Sequence, residues 1–191
     1  MRNTYRKTED GEIIIGQALP VFIDNLHYQL SEIQVFKDGK IDCCGLIDFD
    51  TFVDKVKSGW IKTNIPDGTD LYAFPLGYFK INKFYPRRTG EELIKEVKDI
   101  IERLNDRLTI IQLCAQAFKD WQDNPTDKNK EWLKTAYEAI PTHNRQFVLG
   151  DIDVDDIPVR VVIYGEAEFD KTEKGQIQKE FIKEHYLKEL K

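Results

Sequence analysis

A chain of 191 residues is long enough for one domain with an elaboration, and it can bury a substantial hydrophobic core. Hydrophobic residues make up 41% and charged residues 32%, as in folded globular proteins, and the formal net charge of −6 excludes a general nucleic-acid binder. No apolar run approaches the roughly 18 residues that a membrane span needs, and the polar N-terminal residues do not resemble a signal peptide. Three cysteines, two of them adjacent, do not form a disulfide framework. We therefore expect a cytoplasmic protein with reduced thiols and no membrane association.

The segment from Phe36 to Lys62 predicts a hairpin followed by a short helix. Asp38-Gly39 suits a two-residue turn because both residues accept positive φ, and extended runs flank it on either side. The apolar residues that follow recur at helical spacing and define one helix face: Phe49, Phe52, Val53 and Val56. Asp48 or Asp50 can cap the start of this helix. Because hairpin and helix specify each other locally, we expect this segment to nucleate the fold.

The residues on either side of this segment predict further strands. Residues 1–10 suggest a loose polar tail, and short apolar runs follow it as far as Phe36. Residues 71–85 predict one long aromatic strand in which Gly77 marks a bulge or bend, because the apolar alternation shifts by one residue there. The N-terminal part of the chain is therefore expected to form a mostly antiparallel sheet.

Residues 89–141 predict three helices. Thr89 and Glu92 form a capping box, the second helix is expected to start at Thr109, and the third starts at Thr126 or Asp127. We interpret these helices as an insert or subdomain within a single α+β domain that spans residues 1–191.

A β-branched run from Val159 to Tyr164 is typical of a strand that is buried on both faces. We therefore predict a returning strand here, central in the sheet and beside the hairpin of residues 36–47. The tail from Thr172 to Lys191 predicts a C-terminal helix whose first turn is weakened by Gly175. The predicted class is α+β: a mostly antiparallel sheet with a short helix, a three-helix insert, the returning strand and this helix.

An acidic segment offers the first candidate site, and its carboxylates are Asp151, Asp153, Asp155, Asp156, Glu166 and Glu168. They can bind a basic protein partner, line a solvated loop, or hold a cation for a metal-dependent hydrolase that uses Asp151, Asp153, Asp156 and Glu166. An EF-hand loop is rejected because Asp156 stands where the turn requires glycine. The predicted strand separates the two acidic groups by ~20 Å, so we favour partner binding and predict no metal site.

A basic, aromatic segment offers the second candidate site, and its residues are Tyr78, Lys80, Lys83, Arg87 and Arg88. Aromatic rings between cations can stack bases and hold phosphates, which makes single-stranded nucleic-acid binding a weaker alternative. The same pattern also describes an amphipathic strand whose rings face the core, and this is the interpretation we favour. Nucleic acid is accordingly disfavoured as a partner.

The chain lacks complete catalytic and cofactor motifs. Cys43, Cys44 and Cys114 are interpreted as small buried side chains, because two adjacent strand residues point to opposite faces and cannot easily share a zinc ion. There is no glycine-rich nucleotide motif and no G-x-S-x-G elbow, so we name no catalytic residue and no cofactor. We predict a non-catalytic intracellular binding or regulatory module; an immunity-like or antitoxin-like protein that masks a basic partner is one example of this class. The oligomeric state stays open.

Overall fold

The computed structural model describes residues 2–188, and the chain divides into two compact units, residues 1–107 (unit 1) and 108–191 (unit 2). The fold class is α+β, as predicted. Unit 1 contains eight strands: β1 Arg2–Lys7, β2 Ile13–Asn25, β3 His27–Phe36, β4 Ile41–Asp42, β5 Leu46–Ile47, β6 Ile61–Lys62, β7 Thr69–Ala73 and β8 Gly77–Ile81. It also contains two helices, α1 Phe49–Lys57 and α2 Gly90–Leu104.

Unit 2 is helical in the described residues. Its helices are α3 Ile110–Asp123, α4 Asp127–Ala139, α5 Ile157–Tyr164 and α6 Glu173–His185, with short 3-10 helices at Thr142–Phe147 and Glu166–Lys171. The last residues of the predicted C-terminal helix, 189–191, lie outside the described residues. Within residues 2–188, no helix combines the length and the apolar character required to cross a membrane.

The sheet of unit 1 is built around the long β2–β3 hairpin. Its strands run in the order β1-β2-β3-β4-β5, and β6 pairs with β2. β7 joins β3 in parallel, β8 pairs antiparallel with β7, and the other neighbours are antiparallel. The predicted hairpin forms, since Val35 pairs with Ile41 across the turn, but its loop has three residues and not two: Phe36 N–H donates to Lys40 C=O, and Gly39 has positive φ whereas Asp38 does not. The predicted cap is confirmed as well, because Asp48 accepts a hydrogen bond from the Thr51 amide at 2.9 Å.

Two sequence-based expectations in unit 1 are wrong. Residues 2–7 are not a loose tail but the edge strand β1, tied down by side chains such as Thr4, which donates to Gln34 at 2.7 Å. The aromatic segment at residues 71–85 is not one strand but two, joined by a tight turn in which Leu76 N–H donates to Ala73 C=O at 2.7 Å. Gly77 follows this turn with φ of +102°, a conformation that favours glycine, and this produces the apparent shift in phase.

The main core of unit 1 lies between one sheet face and the helices α1 and α2. The largest contributors from the sheet are Leu19, Ile23, Ile33, Val35 and Ile41, all buried. The helix α2, predicted as part of a helical insert, packs instead on this sheet through Leu93, Val97 and Ile100. The capping box at Thr89 and Glu92 is present as predicted. A smaller cluster on the other face joins Phe22, Ile65 and Leu71.

The returning strand predicted at Val159–Tyr164 is a helix, α5. It is apolar nearly all round and lies in the core of unit 2, which also contains Cys114 and Phe118 of α3 together with Leu133 of α4. A short β-branched run satisfies a fully buried helix as well as a fully buried strand, and Pro158 in the first turn favours the helix. The sheet therefore receives no strand from this region, and the predicted place of residues 159–164 beside the hairpin is wrong.

The three cysteines are free but differ in exposure. Cys43 and Cys114 are buried, as expected, whereas Cys44 is exposed in the turn between β4 and β5 with φ of +62°. Burial raises the pKa of Cys43 and raises that of Cys114 to about 12. Since the thiolate is the reactive form, the two buried thiols are protected both by exclusion of the reagent and by their protonation.

We therefore expect one of the three thiols to react rapidly with a disulfide reagent at about pH 8 in the folded protein, and the other two after unfolding. Spectrophotometric thiol titration with and without denaturant measures this directly. In the matched control, Cys44→Ser is expected to abolish the rapid phase. A rapid phase that survives in this variant would show that a buried thiol is accessible.

Candidate functional site

A polar pocket of about 720 Å³ opens on unit 2. Its walls come from the end of α4, the two 3-10 helices and one face of α5. The residues that determine its chemistry are Tyr137, His143, Arg145, Asp156, Arg160 and Glu168. Two carboxylates of the predicted acidic segment thus lie in a concave site.

Arg160 is the central charge of this pocket. Its Nε lies 3.2 Å from Asp156 Oδ1, and its Nη1 lies 3.5 Å from Glu168 Oε2. The contact with Asp156 is an ion pair without hydrogen-bond alignment at Nε. Both carboxylates are well shielded from water, since the side chains of Asp156 and Glu168 are only 15% and 6% exposed. Arg160 therefore supplies each carboxylate with a positive charge, which compensates for the carboxylate's lost contact with water.

The helical form of α5 creates this arrangement. Asp156 precedes the helix and Arg160 lies one turn further along, so the two side chains share a face. The chain then turns at Gly165, where φ is +100°, and the following 3-10 helix brings Glu168 back to Arg160. A second cation, Lys171, binds the other oxygen of Glu168. One carboxylate from each of the two acidic groups, Asp156 and Glu168, therefore lies beside the guanidinium of Arg160.

Two tyrosines line the pocket with their hydroxyl groups already engaged. Tyr137 donates to Asp156 Oδ2 at 2.5 Å, and Tyr164 donates to Glu138 Oε1 at 3.1 Å. Burial, followed by the hydrogen bond to Asp156, raises the pKa of Tyr137 far above its ordinary value. Burial and Glu138 raise the pKa of Tyr164 in the same way. Both phenols are therefore neutral donors near neutral pH.

Arg145 and His143 come from the first 3-10 helix. The guanidinium of Arg145 stacks over the ring of Tyr137 at 4.9 Å, and its Nε donates to Ile140 C=O at 3.1 Å. The Nδ1 of His143 is buried and has no hydrogen-bond partner within the described part of the chain. The pocket thus joins a fixed guanidinium to an imidazole whose Nδ1 has no hydrogen-bond partner among residues 2–188.

The carboxylates and phenols of this pocket are suited to holding a charged ligand more than to moving protons. Asp156 and Glu168 already accept from cations or a phenol, and the raised pKa of Tyr137 keeps its phenol protonated, so that no phenolate base is present near neutral pH. A general base needs an available lone pair near the reacting atom. Preorganised charges with engaged acceptors are the features of a binding pocket.

Three of the remaining carboxylates of the acidic segment have other partners in unit 2, whereas Asp153 is exposed. Asp151 accepts from the Asp153 amide and from Tyr186, and these bonds lower its pKa. Asp155 pairs with Lys174 at 2.8 Å, and Glu166 pairs with Lys183 at 2.9 Å, which lowers the pKa of Glu166. The segment therefore stabilises the unit internally and does not present a uniformly acidic face.

The alternative of a metal-dependent hydrolase required convergence of Asp151, Asp153, Asp156 and Glu166. Three of these carboxylates bind three different partners, namely Tyr186, Arg160 and Lys183. Within residues 2–188, no group of three or more histidine, cysteine or carboxylate side chains is placed to hold a metal ion. The carboxylates that do converge, Asp156 and Glu168, enclose a guanidinium.

The basic, aromatic segment of unit 1 does not form one continuous basic surface. Tyr78 and Lys80 lie exposed on β8, and Lys83 packs over the ring of Tyr85 at 5.3 Å. Arg87 is exposed, whereas Arg88 binds Glu96 and the carbonyl of Pro20 in a partly buried position. Arg88 is therefore a structural residue that ties the segment to α2 and β2.

An exposed apolar surface surrounds β8. We call it the edge surface, and its members are Leu30, Phe74, Leu76, Tyr78 and Phe79; Tyr78 and Phe79 are adjacent in β8, so they lie on opposite faces of the sheet and flank its edge. Phe74 is 81% exposed and Tyr78 is 67% exposed, although both are large apolar or aromatic side chains. β8 pairs with β7 and, within residues 2–188, with no other strand. Its outer edge therefore carries unpaired strand hydrogen-bonding groups beside exposed rings.

Sequence reasoning missed most of the pocket and part of the edge surface. It named Asp156 and Glu168 but not Arg160, Arg145 or Tyr137. The pairing of Asp156 with Arg160 four residues later was the one signal available, and it is meaningful only in a helix. In unit 1 it named Tyr78 but expected its neighbours to face the core.

The chain is thus an α+β protein of two units, one with an open sheet edge and one with a charged pocket. Residues 3–108 match the family model described as Domain of unknown function (DUF7638), and residues 109–188 match Domain of unknown function (DUF7639). Because the first match covers more than half of the chain, the protein belongs to the DUF7638 family. The junction of the two matches coincides with the boundary between the units. No curated protein and no solved structure matches the chain significantly.

Proposed function

We propose that the protein is a non-catalytic binding module and that unit 1 binds a protein partner along β8. The observation that carries this proposal is the open edge of β8 together with the edge surface. Proteins usually protect edge strands with charge, prolines or covering segments, and they rarely expose several large apolar side chains together. An extended partner segment that pairs with β8 would satisfy its backbone and cover its rings.

The chemistry of the edge surface favours a partner segment that is apolar with acidic residues. Lys80, Lys83 and Arg87 lie exposed on β8 or just after it, and Asp70 opposite Lys80 is the nearest acidic side chain by sheet register. Opposite charges on the partner would increase its association rate and fix the register. The sequence-based expectation of a basic partner relied on the acidic segment, whose carboxylates mostly bind cations or hydroxyls of unit 2.

A protein partner is favoured over single-stranded nucleic acid at this surface. The rings of Tyr72 and Tyr78 lie 5.1 Å apart and tilted, and His27 lies 6.4 Å from Tyr72, so these rings pack against one another. Arg88, which a nucleic-acid groove would need, binds Glu96 instead. Stacking platforms require open ring faces beside a continuous line of cations.

The proposed action is regulatory: by covering a segment of its partner, the protein masks it, as an immunity protein or antitoxin does. The proposed location is the cytoplasm. The three free thiols support this location, because two are buried as reduced side chains and a reducing compartment preserves the exposed Cys44.

The test is recovery of partners by the full-length chain from native lysate, with variants that alter one edge of the sheet. Replacing Phe74 and Tyr78 with serine is expected to lower recovery of the specific partner about tenfold or more, because exposed aromatic anchors dominate binding at such surfaces. The control replaces Tyr5 and Ile15, an exposed cross-strand pair on the opposite edge, and should leave recovery unchanged.

Hydrogen exchange of the recovered complex provides the second measurement. Those amides of residues 77–81 that point away from β7 should become protected when the partner is bound, since strand addition gives them acceptors. Equal recovery by both variants, recovery of nucleic acid in place of protein, or unprotected β8 amides would each contradict the proposal.

A further inference from the structure

Unit 2 carries a second binding site that is independent of the edge surface. The pocket around Arg160 has a volume of about 720 Å³, which falls within the range of roughly 300–1,000 Å³ typical of small-molecule sites. It is lined mainly by polar and charged side chains, so an apolar ligand would desolvate them without replacing their hydrogen bonds. The occupant must therefore be a small polar molecule.

The charge balance of the lining favours an anion. Arg145, Arg160 and Lys171 line the pocket as cations, opposed there by the carboxylates Asp156 and Glu168. Both carboxylates pair with lining groups, namely Arg160, Tyr137 and Lys171, and so offset two of the three cations. The lining therefore carries an excess of one positive charge, before the imidazole of His143 is considered.

The hydrogen-bonding capacity of the lining is also unbalanced. Each guanidinium presents five N–H donors, and the contacts described for Arg145 and Arg160 engage only part of them. Lys171 is 61% exposed and presents three donors, of which its bond to Glu168 uses one. The carboxylate oxygens of Asp156 and Glu168, by contrast, already have partners. A ligand that complements this pocket must bring acceptor oxygens and negative charge.

We propose that the pocket binds the phosphate group of a small metabolite. A terminal phosphate brings three acceptor oxygens, and a guanidinium fork binds two of them in parallel. Arg160 is held in place by two carboxylates, and Arg145 by the Tyr137 ring and by the carbonyls of Ile140 and Glu138, so both guanidinium groups are fixed before the ligand arrives and offer it their remaining N–H groups. This preorganisation lowers the entropy lost on binding.

The test is titration of the full-length protein with inorganic phosphate, followed by NMR and by calorimetry. Saturable binding in the millimolar range is expected, with shifts in the resonances of His143 and of the Arg145 and Arg160 side chains. The informative variant is Gln146→Glu, which adds one negative charge at the pocket rim and removes only a weak 3.4 Å bond to the His143 carbonyl. It should weaken phosphate binding about five- to tenfold through repulsion.

The matched control is Gln176→Glu, which adds the same charge on α6, outside the pocket lining. It should leave phosphate affinity within about twofold, because Gln176 is exposed and does not line the pocket, so that solvent screens its charge from the ligand. Acetate serves as the carboxylate probe and should bind more weakly than phosphate. Absence of saturable phosphate binding, equal weakening by both variants, or acetate affinity equal to that of phosphate would overturn the proposal. None of these results depends on a protein partner at β8.

Discussion

Replacing Arg160 with methionine is expected to lower the free energy of unfolding of unit 2 by about 3–5 kcal/mol, because removal of one member of a buried ion cluster leaves the other members uncompensated. In this variant Glu168, which is 6% exposed, retains only Lys171 as a partner. Asp156 retains only its hydrogen bond from Tyr137. Hydrogen exchange of the α5 amides in the full chain, measured against urea concentration, reports this loss for unit 2 itself.

The matched control for Arg160→Met is Lys183→Met. Lys183 pairs with Glu166, but their side chains are 34% and 60% exposed, so the expected loss is within about 1 kcal/mol. A second variant, Arg160→Met with Glu168→Gln, should recover part of the stability because it removes the stranded charge. Similar losses for Arg160→Met and Lys183→Met would show that the buried cluster does not determine the stability of this unit.

Replacing Gly175 with alanine is expected to lower the stability of unit 2 by about 2 kcal/mol, although alanine is the better helix former by about 1 kcal/mol. Gly175 lies in the first turn of α6, and a Cβ there would come within 2.4 Å of the carbonyl oxygen of Phe169. Phe169 is fully buried in the core of the unit, so its backbone cannot shift to make room. Thermal unfolding followed by circular dichroism should show a lower midpoint temperature.

The control for the glycine variant is Glu180→Ala, an exposed position later in the same helix. It gains a smaller amount of helix propensity than the glycine variant and makes no close contact, so its stability should be unchanged or slightly higher. If Gly175→Ala raised the midpoint, the glycine would be a local weakness, as the sequence suggested, and the close packing of α6 on residue 169 would be wrong.

The parts of the fold that the sequence predicts well are those determined by neighbouring residues. Asp48, Thr89 and Thr109 cap helices where expected, since the cap is a contact with a backbone amide two or three residues away. The turn at Asp38-Gly39 is equally local. The run from Val159 to Tyr164 differs, because its choice between strand and helix depends on what surrounds it. Helices surround it in unit 2, and this is a tertiary property.

The candidate site could be predicted only in part for the same reason. The wrong strand placed Asp156 and Glu168 far apart, whereas α5 rises about 1.5 Å per residue and the chain then turns back. The partners of the acidic residues include Lys174, Lys183 and Tyr186, which a count of charges within residues 151–170 does not contain. The exposure of Phe74 and Leu76 depends on the turn between β7 and β8, which the sequence pattern presented as a bend within a strand.

The two hydrophobic cores have a consequence for how such proteins can be inherited. The buried clusters of unit 1 use residues up to Ile100, and the cluster of unit 2 begins at Cys114. Among residues 2–188, no buried cluster therefore contains side chains from both units. A gene rearrangement that cuts near residue 107 would therefore leave both interiors complete. We expect genomes to contain each segment joined to other neighbours or alone, and the companions of each segment would then indicate separately what the open strand and the charged pocket recognise.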